Sequence, residues 1–118
     1  MYYLNEDHER HFYQLLAKDH TDAFDIERHS LFYILAGNKD LYQKRNHIYD
    51  ASNHCIILCL EQEKQNIDLS NGAKALVKLG FNLYNREHQK ESSVWDVFAS
   101  LDNQNRLLAY HAIKLRFL

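Results

Sequence analysis

Residues 25–50 read DIERHSLFYILAGNKDLYQKRNHIYD, and this stretch decides the fold. Its centre, residues 31–36, is an unbroken apolar run, and a helix that is apolar on every side is a buried helix. A short strand would also fit such a run. However, Ile34 is its only β-branched residue, and residues 25–30 before it are mainly polar without a turn signal. We therefore predict a buried central helix over residues 25–36.

A tight corner is predicted after this helix. Gly37 stands where a left-handed residue often ends a helix, so we expect a positive φ there. Asn38 is a favourable N-cap for a next helix over about residues 39–47. Asp40 in the first turn of that helix suits the helix dipole. Helices that are joined this closely pack against each other.

Two longer helices are predicted from caps and apolar spacing. Asn5 can cap a helix over about residues 6–18. Its inward face carries four residues at helical spacing: His8, Phe12, Leu15 and Leu16. Ser70 is a strong N-cap for a helix over residues 71–85. Gly80 inside that helix costs about 1 kcal/mol relative to Ala, so we expect another helix to approach closely there.

The C-terminal part predicts two further helices. Ser92 or Ser93 caps a short one, and Asp102 caps the last one. Four residues of the last helix are predicted to face inward: Leu107, Leu108, Ala112 and Leu115. The charged residues 86–91 before these helices predict a loop.

Residues 49–66 are the hardest part of the chain to interpret. The apolar run at 55–60 fits either a strand or a buried turn of helix. Because no second strand is evident to satisfy its backbone, we favour irregular chain or a short helix. The polar residues 61–66 predict a loop.

These elements together predict an all-α fold. We expect one compact domain over residues 1–118, a bundle of about five or six short helices around the buried central helix. A chain of 118 residues has the size of one domain. It contains no Pro and only three Gly, which favours helices over a turn-rich β fold.

Composition narrows the classes of function. The net charge of −2 gives no broad attraction for nucleic acid, which is therefore not expected as a partner. Two cysteines are too few for a disulfide scaffold. We expect no leader sequence, because no N-terminal apolar run follows a basic start, and no stretch approaches the roughly 18 apolar residues that a membrane span needs. We expect a cytoplasmic protein without a membrane partner.

Three blocks of sequence carry a family resemblance: LFYILAGNKDLYQKRNHIYD at 31–50, KALVKLGFNLYN at 74–85 and LLAYHAIKLRFL at 107–118. They resemble a family of small uncharacterised proteins from Firmicutes and from their phages and mobile elements. The resemblance covers nearly the whole chain and implies no activity and no catalytic residues. It implies a mobile-element origin and hence a role directed at the host.

Arg106 and His111 have an Arg-x4-His spacing. This spacing resembles the catalytic motif of HEPN ribonucleases, which are helical and often dimeric. In that family a polar residue usually follows the Arg, whereas Leu107 does so here. Residues five apart on a helix diverge by about 140°, so the pair would need a dimer partner. We favour an ordinary C-terminal helix over catalysis.

His54, Cys55 and Cys59 offer soft metal ligands close together in sequence. Structural zinc sites have four ligands and usually closer cysteine pairs, so we favour burial of both thiols as small apolar groups. A small structural zinc protein is kept as an alternative hypothesis. In the favoured interpretation no cofactor is expected.

Lys44 and Arg45, together with Arg28, can form a basic spot near Tyr42. Three acidic residues lie close enough in sequence to neutralise it: Glu27, Asp40 and Asp50. We therefore favour a structural ion-pair network between helices over a binding surface. The chain has eight Tyr, too many for one core, and half-exposed Tyr side chains favour partner contacts.

The favoured function is a non-enzymatic protein-interaction module of a phage or mobile element. It would bind and inhibit a host defence or regulatory protein, with Tyr42, Lys44 and Arg45 as the binding candidates. The expected partner is a host protein, and a homodimer is left open. The alternatives are a HEPN-like, metal-independent ribonuclease that uses Arg106 and His111, and the zinc protein.

Overall fold

The computed structural model describes residues 1–60 and 67–118, and the predicted loop at 61–66 lies outside them. Six α-helices in the described residues confirm the all-α fold, with one small two-stranded sheet added. No helix in this part of the chain has the length and apolarity to cross a membrane. The elements are α1 (Glu6–Asp19), α2 (Ile26–Gly37), α3 (Lys39–Gln43), a 3-10 turn (Arg45–His47), β1 (Tyr49–Asp50), β2 (Cys55–Ile56), α4 (Asn71–Asn85), α5 (Val94–Ala99) and α6 (Asn103–Phe117).

Helix α2 lies at the centre of the fold, as its apolar sequence predicts. The five large residues of its central apolar run are at most 1 % exposed: Leu31, Phe32, Tyr33, Ile34 and Leu35. The helix packs against α1, α4 and α6. Full burial of one such side chain is worth about 1.5–3 kcal/mol, so this helix contributes strongly to stability.

Side-chain caps set the start of each α-helix. In all six helices the N-cap side chain accepts a hydrogen bond from a backbone N–H of the first turn. The capping residues are Asn5, Asp25, Asn38, Ser70, Ser93 and Asp102. The caps at Asn5, Asn38, Ser70 and Asp102 were predicted, and Ser93 is one of the two residues predicted for α5; the Ser70 cap explains why the start of α4 agrees with the sequence pattern.

Gly37 is required for a reason other than the predicted one. It does not take a positive φ, and Asn38 leaves the helix in an extended conformation. A Cβ on Gly37 would lie 2.3 Å from Leu108 Cδ1 and 3.0 Å from His8 Nε2. The close approach of α6 and α1, rather than a left-handed backbone, therefore demands glycine here.

Gly80 marks the close approach of two helices, as predicted. A Cβ there would lie 3.1 Å from Leu31 Cδ1 and 3.6 Å from Ile34 Cδ1. The approaching helix is therefore α2. This contact explains why α4 keeps a glycine in its interior despite the cost to helix stability.

The two short strands pair in an antiparallel hairpin, with Tyr49 opposite Ile56 and Asp50 opposite Cys55. The prediction of irregular chain or a short helix for 55–60 is therefore wrong at β2. A partner strand of two residues is too short to show the alternating pattern by which strands are found in a sequence.

The inward face of α6 is predicted only in part. Leu108 and Ala112 are buried, and Leu115 packs on the core at partial exposure. The prediction is wrong for Leu107, which is 45 % exposed. Adjacent residues on a helix point about 100° apart, and Leu108 takes the inward direction.

Candidate interaction surface

Trp95 is the single Trp of the chain, and it is 81 % exposed at the start of α5. Val94 beside it is 71 % exposed. A capping box holds this turn: Ser93 Oγ accepts from the Asp96 N–H at 3.1 Å, and the Asp96 carboxylate accepts from the Ser93 N–H at 3.3 Å. Both apolar side chains are therefore presented to solvent from a hydrogen-bonded helix turn.

The rotational position of Trp95 on α5 explains its exposure. Val97 is the inward residue of this helix and is 1 % exposed. Trp95 stands two positions earlier, about 200° round the helix, and so points away from the core. Large aromatic side chains left in water are typical of binding surfaces, where Trp often dominates the binding energy.

A cleft of about 510 Å³ lies beside Trp95 and is lined by residues of α4 and α5. Small side chains, including Ala75 and Ala99, line it together with Lys74 and Lys78. Neither lysine forms an ion pair with a carboxylate in residues 1–60 or 67–118. We define the Trp95 surface as Lys74, Lys78, Val94 and Trp95.

A buried polar centre lies at the C-terminal end of α1. Asp19 is 3 % exposed, and its Oδ1 accepts hydrogen bonds from Tyr49 Oη and His54 Nδ1, both at 2.8 Å. Its Oδ2 accepts from Thr21 Oγ1 at 2.6 Å. Burial by itself raises the pKa of Asp19, but these hydrogen bonds outweigh it and hold the pKa below its ordinary value.

Arg28 connects this centre to α2 and to the hairpin. Its Nε donates to Tyr49 Oη at 3.0 Å and lies 3.8 Å from Asp19 Oδ2. Its two terminal nitrogens donate to the Asp25 carboxylate at 2.6 Å and to the His54 carbonyl at 2.8 Å. These hydrogen bonds connect the end of α1, the start of α2 and the hairpin. We call this network of Asp19, Arg28, Tyr49 and His54 the clasp.

The zinc candidates lie beside this clasp. His54 directs Nδ1 to Asp19, Cys55 is exposed and Cys59 is half-buried, so the expected burial of both thiols is wrong for Cys55. Both cysteines line a cleft of about 790 Å³. Among the residues that the structure describes, no group of three His, Cys, Asp or Glu is placed to hold a metal ion. The zinc alternative stays a prediction.

Arg106 and His111, the ribonuclease candidates, contact different neighbours. Arg106 Nε donates to the Phe98 carbonyl at 3.1 Å, whereas the His111 ring stacks on Tyr2 with 4.1 Å between centroids. Burial, and then the nearby Lys114, lower the pKa of His111. One chain therefore does not assemble the pair, and the ribonuclease alternative stays a prediction that needs a second copy.

Tyr42, Lys44 and Arg45, the predicted binding residues, are engaged within the chain. The Tyr42 ring stacks on His11 with 3.8 Å between centroids, and the Arg45 guanidinium lies 4.1 Å from the Tyr42 centroid. Lys44 pairs with Asp40 at 2.8 Å. Within residues 1–60 and 67–118 the Lys44 ion pair joins residues four apart, and Arg45 contacts a ring instead of a carboxylate, so these residues do not form the predicted ion-pair network between helices. A binding role for the three residues stays a prediction.

Comparison with known proteins gives a family without an assigned activity. A family model described as "Family of unknown function (DUF6075)" matches residues 1–118. The chain belongs to this family. The predicted membership in an uncharacterised family is therefore confirmed, whereas the expected origin from Firmicutes and phages is a proposal. No curated protein and no solved structure matches the sequence. The function of this DUF6075 protein is therefore inferred from its geometry.

Two functional or structural residues of this DUF6075 protein, Trp95 and Asp19, were not predicted, although the sequence carries a signal for each. The inward positions Val97 and Leu101 are four apart, which places Trp95 on the outer side of α5. Asp19 is an acidic residue in the last turn of a helix, where the dipole disfavours it unless it has partners. Arg28 was instead predicted to meet other carboxylates: Glu27, Asp40 and Asp50.

Proposed function

We propose that this chain is a non-enzymatic protein-interaction module that binds its partner through the Trp95 surface. The observation that carries the proposal is the 81 % exposure of Trp95 on a capped helix. Burial of apolar area is worth about 25 cal/mol per Å², and an indole offers a large apolar area. A side chain with two rotatable bonds on a capped helix also loses little conformational entropy on binding.

The charges around Trp95 favour a partner segment that is both apolar and acidic. Lys74 and Lys78 lie one helical turn apart on α4 and line the same cleft. The lining also holds Glu91 and Asp96, so its formal charge is zero, and the Asp96 carboxylate is directed to the Ser93 N–H of the capping box. The two lysines form no ion pair within residues 1–60 and 67–118, so they are available to carboxylates of a partner, although the whole chain has a net charge of −2.

The family resemblance supports a proposal about the organism in which this chain acts and about its kind of partner. We propose that the chain serves a phage or mobile element of Firmicutes and acts in the cytoplasm. There it binds and inhibits a host defence or regulatory protein. Inhibition by occupation of a surface needs no catalytic group, in agreement with a site built from an aromatic anchor and two lysines.

The test is affinity capture with matched variants. Tagged wild-type protein, Trp95→Ala and Phe24→Ala are used to capture proteins from a Firmicutes host lysate. Phe24 is the control because it is 91 % exposed in the α1–α2 connection, so its loss removes a similar apolar side chain elsewhere. We expect wild type and Phe24→Ala to retain one protein that Trp95→Ala loses.

The affinity for the purified captured protein then decides the proposal. We expect Trp95→Ala to weaken binding about 30-fold or more, because a central Trp is worth at least about 2 kcal/mol at an interface. Lys74→Glu should slow association and reverse its salt dependence. If Trp95→Ala binds with wild-type affinity while Phe24→Ala does not, the assigned surface is wrong.

A further inference from the structure

We propose that the outer face of α6 is the contact surface of a symmetric, antiparallel dimer of this chain. Five exposed residues of α6 recur at alternating intervals of four and three: Asn103, Leu107, Tyr110, Lys114 and Phe117. This alternation averages 3.5 residues and is typical of the seam along which one helix packs on another. We call these five residues the α6 seam.

The α6 seam lies on the side of the helix that faces away from the core. Three residues of the inward side are buried: Leu108, Ala109 and Ala112. On the seam, Leu107, Tyr110 and Phe117 are 45 %, 52 % and 65 % exposed. A surface helix normally carries polar residues on its outer side, so an apolar seam there indicates a second packing partner.

Apolar side chains on both flanks widen the seam. Phe98 of α5 lines a shallow depression together with Leu107 and Tyr110. On the other flank Tyr2, which is 41 % exposed, stacks on His111. A 15-residue helix is about 22 Å long. The area that such a helix can bury lies at the low end of the range for specific protein–protein interfaces. We therefore expect a weak dimer, with a dissociation constant of about 1–100 µM.

The pattern of the seam selects a second copy in the antiparallel orientation. When two copies pack about a two-fold axis with Leu107 of each against Tyr110 of the other, Lys114 of each copy meets Asn103 of the other. Both pairs occur in the same register, because residues 107 and 110 have the same midpoint along α6 as residues 103 and 114. A parallel pairing would instead place Lys114 against Lys114, and like charges oppose association.

The charges at the ends of the seam fit this register. Lys114 has no carboxylate partner in residues 1–60 and 67–118. Asp102 adjoins Asn103, is exposed, and caps α6 by accepting from the Asn105 N–H at 2.8 Å. In the antiparallel dimer, Lys114 of each copy comes within reach of Asp102 of the other. Two symmetric ion pairs would then flank the apolar centre of the dimer contact. This contact does not involve the Trp95 surface.

Sedimentation equilibrium of the full chain over a wide concentration range tests the dimer. We expect a monomer–dimer equilibrium for the wild type, and monomer alone for Tyr110→Glu and Leu107→Glu. Phe24→Glu, which changes an exposed aromatic residue outside the seam, should behave like the wild type. Circular dichroism identifies variants that fail to fold, and two seam variants keep the test decisive if one of them does. A wild type that stays monomeric, or a dimer that survives either folded seam variant, overturns the proposal.

The orientation is tested by charge changes that preserve the cap of α6. Lys114→Glu should weaken the dimer at least about tenfold, because it places two carboxylates together at each end. Asp102→Asn keeps a good N-cap, since Asn caps as well as Asp, and removes one of those charges. Added to Lys114→Glu, it should restore part of the lost affinity, because it removes the repulsion without restoring the ion pair. No restoration would overturn the antiparallel register.

Discussion

His54 donates a hydrogen bond from Nδ1 to Asp19 Oδ1 over 2.8 Å, although 35 positions separate the two residues. This contact holds the β1–β2 hairpin against the end of α1. His54 also takes a left-handed φ of 55° at the hairpin turn. A non-glycine residue pays about 1–2 kcal/mol for that conformation. The bond to a buried carboxylate offsets this cost and fixes the turn in place.

Asp19→Asn should destabilise the protein by about 2–4 kcal/mol. The neutral amide accepts hydrogen bonds more weakly, and one side of it cannot accept from Tyr49, Thr21 or His54 at all. Urea unfolding measures the change. Asp7→Asn is the control, because Asp7 forms an exposed pair with Arg10 and should cost less than about 1 kcal/mol.

The same variant tests the pH dependence of the clasp. Hydrogen bonds to the ionised form hold the pKa of Asp19 below its ordinary 3.8 despite burial. Its contribution to stability is therefore fully present above pH 3.8 and is lost as the pH falls through the lower folded-state pKa. The difference in unfolding free energy between wild type and Asp19→Asn should shrink on acidification. A difference that stays constant in acid would contradict the assignment.

His8 should make stability fall as the pH drops below about 6.5. This side chain is 2 % exposed; Nδ1 accepts from the Leu4 N–H at 3.1 Å, so Nε2 carries the proton and donates to the Tyr33 carbonyl at 2.9 Å. Burial lowers the pKa of His8 below its ordinary 6.5. The unfolded chain therefore takes up the proton first, and the stabilisation present above pH 6.5 declines as the pH falls.

The His8 prediction is measured by urea unfolding from about pH 5 to about pH 8. His8→Gln should be less stable near neutrality but should show a flatter pH profile than the wild type. His88→Gln, a change at an exposed histidine, should keep the wild-type profile. If His8→Gln keeps the full slope, other histidines carry the dependence.

Gly37→Ala should destabilise the protein by about 1–3 kcal/mol through overpacking. The new methyl group would overlap Leu108, which is fully buried and cannot move into solvent. Gly72→Ala is the matched control, because the nearest atom to a Cβ there is the Ser100 carbonyl oxygen at 3.4 Å. Thermal unfolding should show a lower midpoint for Gly37→Ala and an equal or higher one for Gly72→Ala.

Arg106→Ala and His111→Ala should leave binding through the Trp95 surface unchanged apart from effects on stability. The two side chains diverge on α6, and no polar residue follows the Arg to orient the His. We expect the wild type to leave RNA intact without metal. The assay needs a concentration at which the chain dimerises, because the ribonuclease alternative needs a second copy. Cleavage that a folded His111→Ala variant loses would favour the ribonuclease.

The helices and the central position of α2 could be read from the sequence because both follow from local chemistry. Asn38, Ser70 and Asp102 cap the helices that they precede, and a cap needs only the next three residues. The run at 31–36 is apolar on every side. Whichever side of the helix faces the core, the other sides must also be covered, so the helix is buried. Gly80 could be interpreted for the same reason, since a glycine inside a helix indicates a close neighbour.

Contacts between distant segments decided the remaining features. The two-residue strands gain their pairing from each other, and Asp19 gains its low pKa from side chains up to 35 positions away. Leu107 and Leu108 are chemically identical, so only the placement of α6 against α2 determines which of them is buried. Local preferences act over a few residues, whereas burial depends on which surfaces meet once the chain has folded. The exposure of Trp95 and of the α6 seam is therefore determined by which surfaces meet in the folded chain.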